Sequence, residues 1–433
     1  MKTVIMAGGK GTRIASLNSE VPKPMIPIMG KPILEYEIET LKRQGFVEII
    51  LVVGYLGHIV SDYFGDGTKY GVSIEYVYEE EPLGTAGALY LLKDVLIDDF
   101  LLLNGDIIFD IDIKRFYLYH KMRGGMATLF THPNNHPYDS GIIVADKKGK
   151  VQNWLHKEDE RIWYRNRVNA GIHMLSPQIF QNRDGNMLFH ELKKIDLDRE
   201  VLKPLIQTGQ LYVYDSPEYV KDMGTPERFY EVVEDIRCGK VRAKNLINKQ
   251  KAIFLDRDGT INRYVGFLRK TEKFELLPGV TEAIRRINNL GYLVIVVTNQ
   301  PVLARGEVTW EKLEEIHCKM ETLLGKEGAY VDAIYFCPHH PDKGYEGEVE
   351  ELKIDCDCRK PKPGMLLTAS RDFNIDLSQS WMIGDGENDI KAGRDAGCKT
   401  VLISAENKMY GQDLTMQNIL EFVTKILKSG EAT

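Results

Sequence analysis

A short apolar, β-branched run that stops at a glycine or a charged turn occurs at two widely separated places: Thr3 to Ala7 ahead of Gly8, and Ala252 to Leu255 ahead of Asp256. Each reads as the first strand of an α/β unit, so two such folds are expected in one chain. Its 433 residues are too many for one ordinary domain and enough for two cores. Further strands are predicted over Glu48 to Val53, Phe100 to Leu103, Leu293 to Thr298 and Trp381 to Ile383, apolar runs that end at Gly, Asn or Asp. In open α/β sheets ligands sit at the carboxyl ends of strands, so those polar residues are the candidates for chemistry. From Glu231 to Gln250 the chain is polar and helix-permissive, with no apolar strand pattern after Val233. A linker at 236–250 is placed there, between domains at 1–235 and 251–433. The expected fold class is α/β, with two doubly wound domains.

Composition narrows the ligands. A net charge of -7 with 27% charged residues gives no basic surplus for nucleic acid or an anionic membrane, so phosphorylated ligands must be held by local groups. The opening residues run straight into a strand and a glycine turn, which is neither a signal peptide nor a spanning helix, and a cytoplasmic protein is expected. No fixed-period repeat or low-complexity tract is present. Of six cysteines, Cys238, Cys318 and Cys398 are isolated, whereas Cys337, Cys356 and Cys358 cluster near a histidine pair. In a reducing compartment that cluster points to metal rather than to a disulfide.

The front turn, Ala7-Gly8-Gly9-Lys10-Gly11-Thr12-Arg13, ends in a cation. Glycines let backbone N–H groups approach a triphosphate, and Arg13 can neutralise the charge of departing pyrophosphate. A second cation, Lys23, is stiffened by Pro22 and Pro24. In these elements the front half resembles the sugar-1-phosphate nucleotidyltransferases, with their Rossmann-like domain. The resemblance implies that Gly8, Gly9, Gly11, Thr12 and Arg13 bind the nucleotide, with Arg13 and Lys23 catalytic. It also implies that Glu81, Pro82, Gly84 and Thr85, in the run from Glu81 to Gly87, contact the base. Asp106 in Asn104-Gly105-Asp106 and Asp222 in Lys221-Asp222-Met223-Gly224 would hold magnesium, and Asn169 and Gly171 in Val168-Asn169-Ala170-Gly171 would contact the sugar. Lys157 would grip the sugar phosphate, although His156 stands where the family carries an acidic residue. Within the family, the run from Glu81 to Ile111 is most similar to guanylyltransferases acting on D-glycero-D-manno-heptose 1-phosphate.

The rear turn, Asp256-Arg257-Asp258-Gly259-Thr260, sets two carboxylates one residue apart, where they repel unless a cation or a catalytic role holds them. Asp256 would attack phosphorus, and Asp258 would protonate the leaving oxygen and then activate water. Cys337 with His339 and Cys356 with Cys358 are two short chelating pairs, the spacing of a closed tetrahedral zinc site, with His340 left over. Four protein ligands leave no open position, so that zinc is expected to be structural.

From Lys251 to about Ile403 the chain resembles the haloacid dehalogenase (HAD) superfamily. The resemblance implies that Thr298 bonds the transferring phosphoryl group and that Lys360 offsets its charge. Asp385 would bind magnesium with Asp256 and the backbone carbonyl of Asp258. Asp389 is placed as an outer partner or a helix cap. The zinc loop narrows the likeness to the phosphatases of D-glycero-D-manno-heptose 1,7-bisphosphate and to the histidinol-phosphate phosphatases. Asn299, Gln300, Arg305 and Arg359 are then expected at the sugar phosphate. Pro301-Val302-Leu303 and Gly386 depart from the pattern of the heptose enzymes.

The two resemblances name consecutive steps: removal of the 7-phosphate from heptose bisphosphate, then nucleotide transfer from an NTP, GTP first, onto heptose 1-phosphate. The alternatives are another sugar or nucleotide, or one active half beside a regulatory sugar-nucleotide-binding module. The oligomeric state is left open.

Overall fold

The computed structural model describes residues 1–9, 20–181, 191–344 and 346–427, which fall into two compact units. The first comprises Met1–His132, Ile143–Trp154 and Asn169–Asn245; the second comprises Pro133–Ile142, Leu155–Val168 and Leu246–Thr433.

In the first unit, strands Ser73–Tyr78, Glu48–Val53, Thr3–Met6 and Phe100–Asn104 lie side by side and parallel. Strand Val168–Leu175 then joins Phe100–Asn104 antiparallel, so the sheet is mixed. Glu48–Val53 reads as an almost unbroken apolar run because both faces are covered. Ile5, Leu51 and Val53 pack with Leu34, Ile38 and Leu41 of helix Ile33–Arg43, while Val4, Ile50 and Val52 pack with Leu89, Leu92 and Leu96. Strand order reverses between Thr3–Met6 and Phe100–Asn104.

The second unit is built on a six-stranded parallel sheet: Ala333–Cys337, Leu293–Asn299, Ala252–Leu255, Trp381–Gly384, Lys399–Ile403 and Leu414–Met416. This is the doubly wound order 3-2-1-4-5-6, with its reversal between Ala252–Leu255 and Trp381–Gly384. Ile253, Leu255 and Val296 face one core and Ala252, Phe254 and Val297 the other.

The stretch expected as a linker, 236–250, takes in the end of one helix and a second short one. Helix Pro226–Arg237 starts at Thr225, whose side chain accepts from Arg228 N, and Lys240–Ala243 follows. Its apolar side is a narrow stripe of Phe229, Val232, Val233 and Ile236, and the charged remainder makes the segment read as solvated. Asn245 donates to Asp110 at 2.7 Å, and the first unit extends that far.

Segments 133–142 and 155–168 lie in the sequence of the front half yet cluster with the second unit. Within that unit, Tyr164 N donates to Thr322 Oγ1 at 2.9 Å, Asn166 N to Glu321 Oε2 at 2.8 Å, and Arg165 to Glu321 Oε1 at 2.6 Å. The Glu321 side chain is 0% exposed, on helix Trp310–Gly325. A buried carboxylate needs such partners.

Candidate active sites

At the first unit's strand reversal, the turn Ala7-Gly8-Gly9 and the turn Gly105-Asp106 flank a cavity of about 770 Å³. Its lining includes Gly8, Gly9, Lys23, Pro82, Gly84, Thr85 and Asp106, and its size suits a nucleotide-sized ligand. Lys23 is buried in the turn Lys23–Met25, and its Nζ bonds Asp106. A Cβ on Gly8 would lie 2.3 Å from Glu79 Oε2, so glycine lets that carboxylate close against the loop. Glu79 is half-buried, burial pushes its carboxyl up, and its Oε1 has no hydrogen-bond partner among the described residues.

Other expected front residues stand apart from this lining. Asp222 takes Arg228 Nη1 at 2.9 and 3.0 Å and Gly224 N at 3.0 Å, while Met223 N donates to Asp106 O at 3.1 Å. Asn169 Oδ1 pairs with His173 Nε2 at 3.1 Å and accepts from Gly171 N at 3.3 Å. Its Nδ2 donates to Asp198, whose carboxyl burial lifts to about 6. Gly171 abuts Asn104 at φ 72°. Glu81 and Lys157 are exposed, and Lys157 belongs to the second unit. Gly11, Thr12 and Arg13 lie outside the described residues.

At the second unit's reversal, Lys360 Nζ donates to Asp256 Oδ1 at 2.7 Å, to Asp389 Oδ1 at 2.5 Å and to Val297 O at 2.8 Å. Asp256, Asp385 and Asp389 each turn a carboxylate oxygen into a cluster no wider than 4.8 Å. Gly259, at φ 88°, makes this possible, since a Cβ there would stand 2.0 Å from Asp385 Oδ2. Burial pushes the Asp256 carboxyl up to about 7 against the pull of Lys360, and lifts Asp385 to about 6 with help from Asp389. Lys360 is raised by Asp256 and Asp389 in spite of burial, so the lysine is the permanently charged member. Asp389 also accepts from Gly386 N at 3.1 Å, which makes it both helix cap and lysine partner.

Asn299 and Gln300, expected on the sugar phosphate, are engaged inside the site. Asn299 accepts from Lys360 N at 3.0 Å and donates to Lys360 O at 2.9 Å, fixing the backbone that carries the lysine. Gln300, 2% exposed, donates to Asp258 Oδ2 and Thr298 Oγ1, both at 2.9 Å. Arg305 lies over the Phe267 ring at 4.2 Å, and Arg359 Nη1 donates to His339 O at 3.2 Å.

Cys337 Sγ, His339 Nδ1, Cys356 Sγ and Cys358 Sγ converge, with sulfur separations of 3.5 Å (Cys337 to Cys356) and 3.1 Å (Cys356 to Cys358). The His339 nitrogen is 3.4 Å from Cys358 and 3.8 Å from Cys337. A zinc tetrahedron with Zn–S near 2.3 Å has S···S edges of about 3.8 Å, so the four donors fit with small adjustment. Hydrogen bonding from Cys337 holds the Cys358 thiol down at about 5 and pushes Cys337 up.

Sequence reasoning missed Glu79 and did not single out Arg257 and Asn262, which bond Asp258, or His317, which faces Arg257. Glu79 stands two residues ahead of the expected base-contacting run, and its place in the cavity lining and its approach to Gly8 reveal it.

Comparison with known proteins matches residues 2–238 to the nucleotidyl transferase family and residues 357–418 to a HAD-hydrolase-like family. A D-glycero-beta-D-manno-heptose-1,7-bisphosphate 7-phosphatase of Pasteurella multocida is 41% identical over 38% of this chain and 86% of its own length. A mannose-1-phosphate guanyltransferase of Saccharomyces cerevisiae is 33% identical over 53% of this chain and 63% of its own. Among solved structures, a heptose bisphosphate phosphatase from B. bronchiseptica, complexed with magnesium and phosphate, is 32% identical over 42% of this chain and 99% of its own, with a TM-score of 0.37.

Proposed function

This chain belongs to the nucleotidyl transferase family through its front half and to the HAD-like heptose bisphosphate phosphatases through its rear half, and from that premise we propose which substrates and residues serve its two activities. The rear unit removes the 7-phosphate of D-glycero-D-manno-heptose 1,7-bisphosphate. The front unit transfers GMP from GTP to the resulting heptose 1-phosphate and releases pyrophosphate. The observation that carries this reading is that each strand reversal bears its own constellation: a nucleotide-sized cavity over Gly8 and Asp106, and Asp256 paired with Lys360.

In the rear site, Asp256 attacks phosphorus while Asp258 gives a proton to the departing sugar oxygen. Asp258 then takes a proton from water, whose hydroxide displaces phosphate from the Asp256 acyl phosphate and restores the carboxylate. Lys360 and Thr298 hold the phosphoryl oxygens. Asp256, Asp385 and the Asp258 carbonyl would hold magnesium, whose positive charge would keep Asp256 ionised. Cys337, His339, Cys356 and Cys358 would hold a structural zinc, which would fix the loop leading to Lys360. Thiolate ligation of this kind suits the reducing cytoplasm.

In the front site, Lys23 and Arg13 offset the triphosphate, and Asp106 would hold magnesium, joined by Asp222 only where it is released from Arg228. Glu79 supports guanine, because a carboxylate accepts from the base N1–H and N2–H₂, donors that adenine does not present on that edge. Among the described residues no helix is long and apolar enough to cross a membrane. Incubation with heptose 1,7-bisphosphate, magnesium and each NTP in turn, with product mass as readout, tests the whole reading. GDP-heptose is expected. Product from mannose 1-phosphate but not from heptose 1-phosphate would move the sugar assignment to the substrate in the yeast relative's name.

A further inference from the structure

We propose that Phe267 is a positioning residue for Arg305, and that this pair sets how strongly the rear site prefers a sugar carrying a second phosphate. The inference rests on the reading that Arg305 meets the phosphate the sugar keeps.

The two residues stand on loops that leave the adjacent parallel strands Ala252–Leu255 and Leu293–Asn299. The first loop turns at Gly266, φ 73°, and is pinned by Leu268, which is buried in one core with Ile261 and Phe274. Phe267, between them, is 41% exposed. The second loop begins with Pro301-Val302-Leu303, the run that departs from the heptose enzymes, and Val302 and Leu303 form its footing, buried with Val308 and Leu313. Arg305 N donates to Pro301 O at 3.0 Å and Glu307 N to Val302 O at 3.0 Å. Gly306 sits so close to the loop ahead of Val349 that a Cβ there would stand 1.9 Å from Gly347 O. The Arg305 backbone is therefore fixed, and only the course of its side chain remains to be set.

The Arg305 guanidinium carbon lies over the Phe267 ring, 4.2 Å from its centre, well inside the range of cation–π attraction. Arg269 is 5.8 Å from the same ring, but its Nε donates to Glu307 at 2.8 Å, which matches its charge and ties the two loops together. A guanidinium resting on a ring keeps its N–H fork in its own plane, the geometry that meets two oxygens of a phosphate. Holding so long a side chain in that pose beforehand lowers the rotamer entropy lost on binding. A second arginine is placed by the same framework. Val349 N donates to Ala304 O at 3.0 Å and His340 N to Leu352 O at 3.1 Å, while Arg359 Nη1 donates to His339 O. Residues 349–352 thus join the segment that carries Arg305 to the one that receives Arg359. Two arginines, in addition to Lys360, suit a substrate with two phosphates better than one with a single phosphate.

A substrate without the second phosphate separates this role from general support of the fold. In the full-length protein, Phe267→Leu is expected to raise KM for heptose 1,7-bisphosphate about fivefold, with kcat within about twofold of native. KM for 4-nitrophenyl phosphate, which has one phosphate only, should stay within about twofold, and its turnover shows that the variant is folded. Phe267→Tyr, which keeps a ring face, should restore most of the affinity. Arg305→Gln is the reference and should raise KM for the bisphosphate further. In that background Phe267→Leu should add less than about twofold, because the ring acts through the arginine. An equal rise on both substrates, a tyrosine no better than leucine, or fully additive losses in the double variant overturns the proposal alone. An unchanged KM for the bisphosphate in Arg305→Gln overturns the reading of Arg305 and the proposal with it.

Discussion

The front and rear sites occupy equivalent places, the points where strand order reverses, but they are built from opposite materials. The front site is a cavity whose lining includes Gly8, Gly9, Gly84 and Gly105 together with the Lys23–Asp106 pair. The rear site is a packed cluster of charge, in which Lys360, 3% exposed, bridges two aspartates and a carbonyl. One is shaped to receive a ligand that brings its own charges and faces. The other is organised before any ligand arrives, which suits a reaction whose whole burden is placing charge at phosphorus. Truncation should therefore cost most in the rear, where each charged group lacks a substitute, and less in the front, where many residues share the lining.

The sharpest way to break this contrast is Asp256→Asn, which should lower phosphate release by on the order of 10⁴-fold or more, as expected when a nucleophile is lost. Nucleotide transfer from purified heptose 1-phosphate, read as pyrophosphate, should persist. Phosphate release near the native rate would remove the nucleophile.

Next in size is Asp106→Ala. Losing the carboxylate paired with Lys23 should cost about 10²- to 10³-fold in pyrophosphate release and leave phosphatase turnover intact. A front site that transfers nucleotide normally without Asp106 would mean that the cavity has been assigned the wrong chemistry.

A smaller effect is expected of Glu79→Gln. The amide presents one acceptor where the carboxylate presented two, so kcat/KM for GTP should fall by about 10- to 100-fold relative to ATP. Unchanged discrimination between the two nucleotides would place base recognition elsewhere.

Smallest is Cys356→Ser, which should lower zinc content below about one per chain and weaken phosphatase turnover by several-fold through the loop carrying Arg359 and Lys360. Nucleotide transfer should hold within error. Unchanged metal content by elemental analysis would sink the zinc assignment.

Most of what could be read in the sequence was local. Strand ends betray themselves by an apolar run meeting Gly or Asp, so Asp256, Thr298, Asp385 and the Gly8 turn stood out, and the thiol pairs announced themselves by spacing. What stayed hidden depends on partners far along the chain. Gln300 and Asn299 look like free polar side chains until Asp258 and the Lys360 backbone are folded against them. Asp389 reads as an ordinary first-turn acid, and nothing beside it in sequence shows the lysine that reaches it. Helix Pro226–Arg237 was legible only as polar, because one narrow stripe faces inward.

The segments that sit in the front half of the sequence but cluster with the second unit also bear on synthesis. Tyr164, Arg165 and Asn166 find Thr322, Glu314 and Glu321 149 to 158 residues downstream. At roughly 5–20 residues per second, a ribosome needs on the order of ten to thirty seconds to deliver those partners. During that interval the nascent strand between Ile143–Trp154 and Asn169 must wait in a loop, its arginines without their buried carboxylate. Segments 133–142 and 155–168 cannot reach their final packing before helix Trp310–Gly325 has left the exit tunnel, although every residue of the first unit has been made by Asn245.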